Sequence, residues 1–175
     1  VTGASVHYSW FFRLDPQVAD SYGSASWGLE RYAPLVTEMD RRGDELGVHP
    51  HPFRWLPGEQ SWLQDFANQG WVEHCVGTSL EAYSRALGRR CRMLRFGDRW
   101  INTATLNFAE SMGVQFDLTV EPGAPASSGL VAGEGTCGSI PDYYRVPRRP
   151  YTPAFYDYEE PVSTTTRPLR LVPLT

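Results

Sequence analysis

Three times along this chain an apolar helical face ends at a glycine and a short apolar run follows at once, a rhythm that belongs to alternating helices and strands. Tyr32, Leu35, Val36 and Met39 fall at i, i+3, i+4 and i+7, which is one face of a helix. Pro34 is tolerated in its first turn, Gly43 stops it, and residues 45–49 follow as a strand. Next, Thr78-Ser79-Leu80-Glu81 matches a capping box, Leu80, Tyr83 and Leu87 share a face, and Gly88 lies just past the end. Residues 92–96 form the strand after it. Asn102 caps a third helix that runs through Met112 to Gly113, and 114–120 is its strand. Upstream, the aromatic run 6–14 is bounded by turn formers and reads as a buried strand, while 169–174 reads as a short last one. The alternation predicts a parallel sheet with helical cover, doubly wound or barrel-like. Functional groups in such sheets gather at the carboxyl ends of the strands. His49, Arg95, Asp117 and Asp15 all fall at or near such ends.

Gly47-Val48-His49-Pro50-His51-Pro52 carries the strongest chemical signal. Each proline removes a backbone donor and pushes the residue before it toward extended geometry. In an extended segment residues i and i+2 project to one side, so His49 and His51 can converge on one point. Two neutral imidazoles are a common start to a zinc or other divalent-metal site, and the plain alternative is a surface pair in a Pro-rich loop.

The 175 residues suffice for one domain with a real core, and 41% hydrophobic and 13% aromatic content fit a globular chain. A net charge of −4 without a long basic run argues against nucleic-acid binding. No apolar stretch approaches a membrane span. Three scattered cysteines argue against a disulfide framework and favour a reducing, cytoplasmic setting. The N-terminus has neither an initiator Met nor a signal-peptide pattern and runs almost at once into an apolar stretch, which reads as a piece whose upstream part is missing. Residues 121–167, rich in Pro, Gly, Ser and Tyr, read as a long loop without regular structure.

The order of these pieces resembles the polysaccharide deacetylase family, the NodB-type carbohydrate esterases. The resemblance rests on Trp10-Phe11-Phe12, on Gly43-Asp44-Glu45-Leu46-Gly47-Val48-His49, on Leu94-Arg95-Phe96-Gly97-Asp98-Arg99-Trp100 and on Gly113-Val114-Gln115-Phe116-Asp117-Leu118-Thr119, and it covers roughly residues 6–120. It implies a distorted (β/α) barrel and metal-dependent removal of acetyl groups from a carbohydrate or glycan. It also implies metal ligation by His49 and His51, and an arginine, Arg95, that tunes a catalytic carboxylate and is itself oriented by Asp117. The chain departs from the family pattern at position 53, which is Phe where the second histidine is expected, so His51 takes that role from a different spacing. It has no Asp-Asp motif, which by the matched order would lie before Val1, and no histidine after His74 where the family's late catalytic motif is expected.

A zinc ion would need a third donor from outside these residues or from Asp15, whose alternative role is to open the turn before Pro16. Glu45 could share the face of His49 or be solvated. Arg95 and Asp117 are expected to meet as a hydrogen-bonded pair, either in the site or as a structural device. Arg99 and Trp100 could line a sugar site, with ordinary packing as the other reading of Trp100. His74 beside Cys75 reads as structural, and His7 as a satisfied core histidine. The competing function is a catalytically silent relative that binds a glycan or protein partner through Tyr143, Tyr144, Tyr151, Phe155 and Tyr158. A glycoside hydrolase is a third possibility, but no carboxylate pair stands out for it.

Overall fold

The computed structural model describes residues 6–127, 135–163 and 167–175. Strand β1 (Ser9–Phe12) leads through Asp15 into three short helices, α1 (Pro16–Tyr22), α2 (Trp27–Arg31) and α3 (Ala33–Arg41). Strand β2 (Glu45–Val48) carries the chain through the His-Pro repeat into a hairpin of β3 (Phe53–Leu56) and β4 (Ser61–Asp65). Helix α4 (Gln69–Leu87), strand β5 (Met93–Leu94), a single 3-10 turn over Gly97–Arg99, helix α5 (Thr103–Ser111) and strand β6 (Phe116–Asp117) follow. The remainder adds β7 (Gly135–Cys137), β8 (Thr152–Pro153), β9 (Pro161–Val162) and β10 (Arg170–Leu171).

The main sheet has the order β1-β2-β5-β6-β10, and every neighbouring pair in it is parallel. Among the described residues it is an open sheet with β1 and β10 at its edges, so the expected barrel closure is not present. The reading of 6–14 as a buried strand is corrected by the same fact. As an edge strand, β1 leaves Tyr8 and Trp10 exposed, and Asp44 holds it by accepting from the Tyr8 amide at 3.1 Å and from the Trp10 indole at 2.9 Å.

The interior strand β2 needs Gly47. A Cβ there would sit 2.8 Å from the Phe11 ring and 2.9 Å from the Met93 carbonyl, so any side chain would force the flanking strands apart. Helix α4 covers this strand with Val72, Cys75, Val76, Leu80 and Tyr83, and the Tyr83 hydroxyl donates to the Leu46 carbonyl at 3.1 Å. The helix starts nine residues before the Thr78 capping box. Asn68 is the true cap, accepting from the Trp71 amide at 3.0 Å, and Gly88 ends the helix in the left-handed region. Inside the helix Ser79 turns its hydroxyl back onto the Cys75 carbonyl at 2.8 Å, which removes it as a cap.

Of the stretch 121–167 expected to be structureless, 128–134 and 164–166 lie outside the described residues, and the rest is pinned to the body. Strand β7 pairs with β4, β8 pairs with β9, and Tyr151 bridges Leu171. Arg167 is buried and holds the Glu110 carboxylate at 2.9 Å and the carbonyls of Pro153 and Ala154 at 3.0 and 2.8 Å. Of the five aromatic residues expected to form a binding loop, Tyr143, Tyr151 and Tyr158 are buried core residues, while Tyr144 and Phe155 are exposed. No helix among the described residues is long and apolar enough to cross a membrane.

Candidate functional site

The parallel ladder continues past β2 and delivers both histidines to the carboxyl edge of the sheet. The His49 amide donates to the Phe12 carbonyl at 2.8 Å, and the Pro50 carbonyl accepts from Gly97 at 2.9 Å. His49 thus lies between the ends of β1 and β5. The two imidazoles stand together with ring centroids 4.8 Å apart and nearly perpendicular planes.

Each ring is held through the same nitrogen. His49 Nδ1 lies 2.6 Å from the Arg95 carbonyl, which can only accept, so Nδ1 carries the proton and Nε2 keeps a lone pair. His51 Nδ1 lies 3.0 Å from Asp98 Oδ2, and a carboxylate imposes the same tautomer on the neutral ring. Neither Nε2 has a hydrogen-bond partner among the described residues. Burial pushes His49 down to about 4, and the neighbouring His51 adds to the effect, so His49 is neutral at physiological pH.

Asp98 is the residue that sequence reasoning passed over. Burial alone would raise its pKa, but hydrogen bonds from His51 and Gln64 hold it below the usual carboxylate value. It sits at φ 54° and ψ 24°, and Arg99 follows at φ 60°. Two successive non-glycine residues in the left-handed region are costly, and such strain persists where surrounding contacts enforce it. Here His51 and Gln64 grip the Asp98 side chain. Gly97 belongs to the same device, since a Cβ on it would lie 2.3–2.4 Å from three atoms of the His51 ring. The Gly-Asp-Arg run after a strand was the signal available for Asp98; nothing in the sequence pointed to Gln64, which arrives from the hairpin.

Asp15 is fully buried beside this pair. Its Oδ2 accepts from the His51 amide at 3.1 Å, and Arg13 binds both its oxygens at 3.0 Å. The carboxylate therefore sits at the end of β1 against the histidine segment. The donor types suit a divalent cation, two imidazoles with their far nitrogens tied back, and the buried Gln64 Oε1 beside them has no partner among the described residues. Among the described residues no three His, Cys, Asp or Glu side chains form a ligand set, so a cation would start from the two imidazoles.

The other expected residues divide. Arg95 offers its carbonyl to His49, but its guanidinium faces Glu121 at 3.6 Å, which also lies 3.8 Å from Arg99. Asp117 does not meet Arg95. It is fully buried and accepts from the Thr119 amide and hydroxyl, both at 2.9 Å, and burial pushes it up to about 7. Trp100 is also corrected: it is buried, stacked 5.3 Å from Phe66 and packed against Phe96, with no open face for a sugar. His7 is exposed rather than in the core, His74 is exposed on α4 against Trp71, and Glu45 is exposed at the start of β2, away from the carboxyl edge.

No protein-family model matches this chain, and no curated protein matches it. Among solved structures, a Mycobacterium smegmatis protein assigned as a polysaccharide deacetylase aligns with 100% of this chain and 61% of its own, at 12% identity and a TM-score of 0.50. A de-N-acetylase from Aggregatibacter actinomycetemcomitans aligns with 62% of this chain and 47% of its own, at 16% identity and a TM-score of 0.39. This chain thus spans about six tenths of the mycobacterial protein, and the likeness to it is one of fold.

Proposed function

We propose that this chain is a carbohydrate deacetylase-like hydrolase domain whose centre is the His49–His51 pair. The observation that carries the reading is the common restraint on the two rings, each held through Nδ1 and each leaving Nε2 without a partner at the carboxyl edge of a deacetylase-like sheet. A divalent metal, zinc first among them, would polarise an acyl carbonyl and lower the pKa of its bound water. The protein's own residues prepare that position. Asp98 fixes the His51 tautomer and orients the ring. Arg95 fixes His49 through its backbone, and Asp15 is the carboxylate at hand as a third donor, oriented by Arg13, which donates to both its oxygens. Arg95, Arg99 and Glu121 supply charged donors and acceptors for a polar substrate, the N- or O-acetylated sugar of a glycan. Asp117 belongs to the core beneath.

The test is metal content and acetate release measured on one preparation. The chain should bind about one equivalent of zinc by calorimetry and release acetate from an acetylated N-acetylglucosamine oligomer. His49→Ala and His51→Ala should lose both while keeping the native circular dichroism spectrum. Zinc binding that survives both substitutions contradicts the assignment. Glycan binding without metal or acetate release instead supports a silent relative.

A further inference from the structure

The histidine pair is one end of a longer face. His51, Phe53 and Trp55 alternate along the chain, and the β3–β4 register sets Gln64 opposite Phe53 and Trp62 opposite Trp55. Gln64, Phe53, Trp62 and Trp55 therefore share one side of the hairpin, with Arg54 and Asp65 paired at 2.7 Å on the other. At the inner end Phe53 is buried, its ring stacked 5.8 Å from His51 and the Arg13 guanidinium 5.8 Å from its centroid, while Gln64 is committed to Asp98. At the outer end Trp55 is 41% exposed, and the partly buried Trp62 lies against it at 5.3 Å with planes at 61°. Trp55 lies four residue steps beyond His51, about 13 Å at the rise of an extended chain.

Folding gives no reason for an exposed indole here. The hairpin is already fixed by the Arg54–Asp65 pair, by β7 along β4, and by the Trp71 indole donating to the Pro52 carbonyl at 3.1 Å. We propose that Trp55 and Trp62 form a stacking platform for a pyranose ring of the same glycan chain whose acylated sugar occupies the His49–His51 centre. This deepens the function proposed above and rests on it. A pyranose offers a C–H face to the electron-rich indole and hydroxyls at its edge. The hairpin matches both, since the tip beside the tryptophans carries Glu59 and Gln60, with Ser61 at the start of β4. That alternation of aromatic face and polar tip suits a sugar better than a continuous apolar partner.

The experiment uses the full chain with N-acetylglucosamine oligomers and acetylated xylan oligomers, each from monomer to hexamer. It reads affinity by calorimetry and acetate release from the same sugars and from p-nitrophenyl acetate. In the native protein affinity for at least one series should rise with chain length. Trp55→Ala and Trp62→Ala should weaken the longest oligomers about tenfold, the scale of a truncated aromatic anchor, and leave p-nitrophenyl acetate turnover unchanged. Trp55→Phe, which keeps an aromatic face, should retain most of the affinity. Affinity that does not rise with length in either series overturns the platform, and so does hexamer binding unaffected by Trp55→Ala in a protein with native melting. Length-dependent, Trp55-dependent binding without acetate release from any probe sustains the platform and removes the hydrolase.

Discussion

Gly97 is a small residue with a large demand placed on it. It lets the His51 ring rest against the backbone that leads into Asp98, so the imidazole and its carboxylate meet without a side chain between them. Gly97→Ala should drive the ring away and break the His51–Asp98 bond. Loss of an outer partner of this kind costs metal affinity about 10- to 100-fold, so zinc titration should show a drop of that order with the fold retained. Unchanged zinc affinity in that protein would mean Asp98 plays no part in holding the ring. Asp98 lies within the stretch 94–100, and Asp tolerates the left-handed region, but nothing about an arginine at position 99 announces a second left-handed residue in succession.

At the scale of elements, α4 shows how a local signal yields to its surroundings. Thr78-Ser79-Leu80-Glu81 has the composition of a helix start, but the apolar face continues upstream through Val72, Cys75 and Val76, and packing on the sheet extends the helix to Gln69. Asn68 then carries the cap. Asn68→Ala should cost about 1 kcal/mol and lower the melting temperature by roughly 3 °C, with zinc binding unchanged. The same substitution at Thr78, now a helix interior position, should have a smaller effect, and melting curves of the two proteins decide between the caps. Asn102, by contrast, caps α5 as its sequence indicates, accepting from the Thr105 amide at 2.8 Å. The hairpin β3–β4 had no such advance notice, because Pro50 and Pro52 mask the strand that follows them.

For the molecule as a whole, Asp117 makes stability depend on pH in an unusual direction. Burial raises it from 3.8 to about 7, so between those values the folded chain keeps a proton that the unfolded chain has lost. Stability from this group is present at low pH and is lost as pH rises through about 7. Asp117→Asn, neutral at every pH, should gain stability relative to the native chain steadily from pH 4 to 7 and hold that gain above. Urea unfolding at a series of pH values measures it, and a difference that stays flat across the window would place the Asp117 pKa near its ordinary value. This carboxyl lies under the C-terminal residues, where β10 returns beside β6, and its depth is a property of the assembled sheet.

The parallel α/β class, the order of β2, α4, β5, α5 and β6, and the presence of two imidazoles on one extended segment were legible in the residues alone. Those features are written in periodicity, glycine stops and proline geometry, all local in range. Tertiary structure alone decided that the described sheet stays open, that Arg95 faces Glu121 while Asp117 is satisfied by Thr119, and that Trp100 is packed in the core while Trp55 stands out. Each of these depends on which distant segment arrives beside a residue, and burial, hydrogen-bond partners and ionisation are fixed only by that arrival.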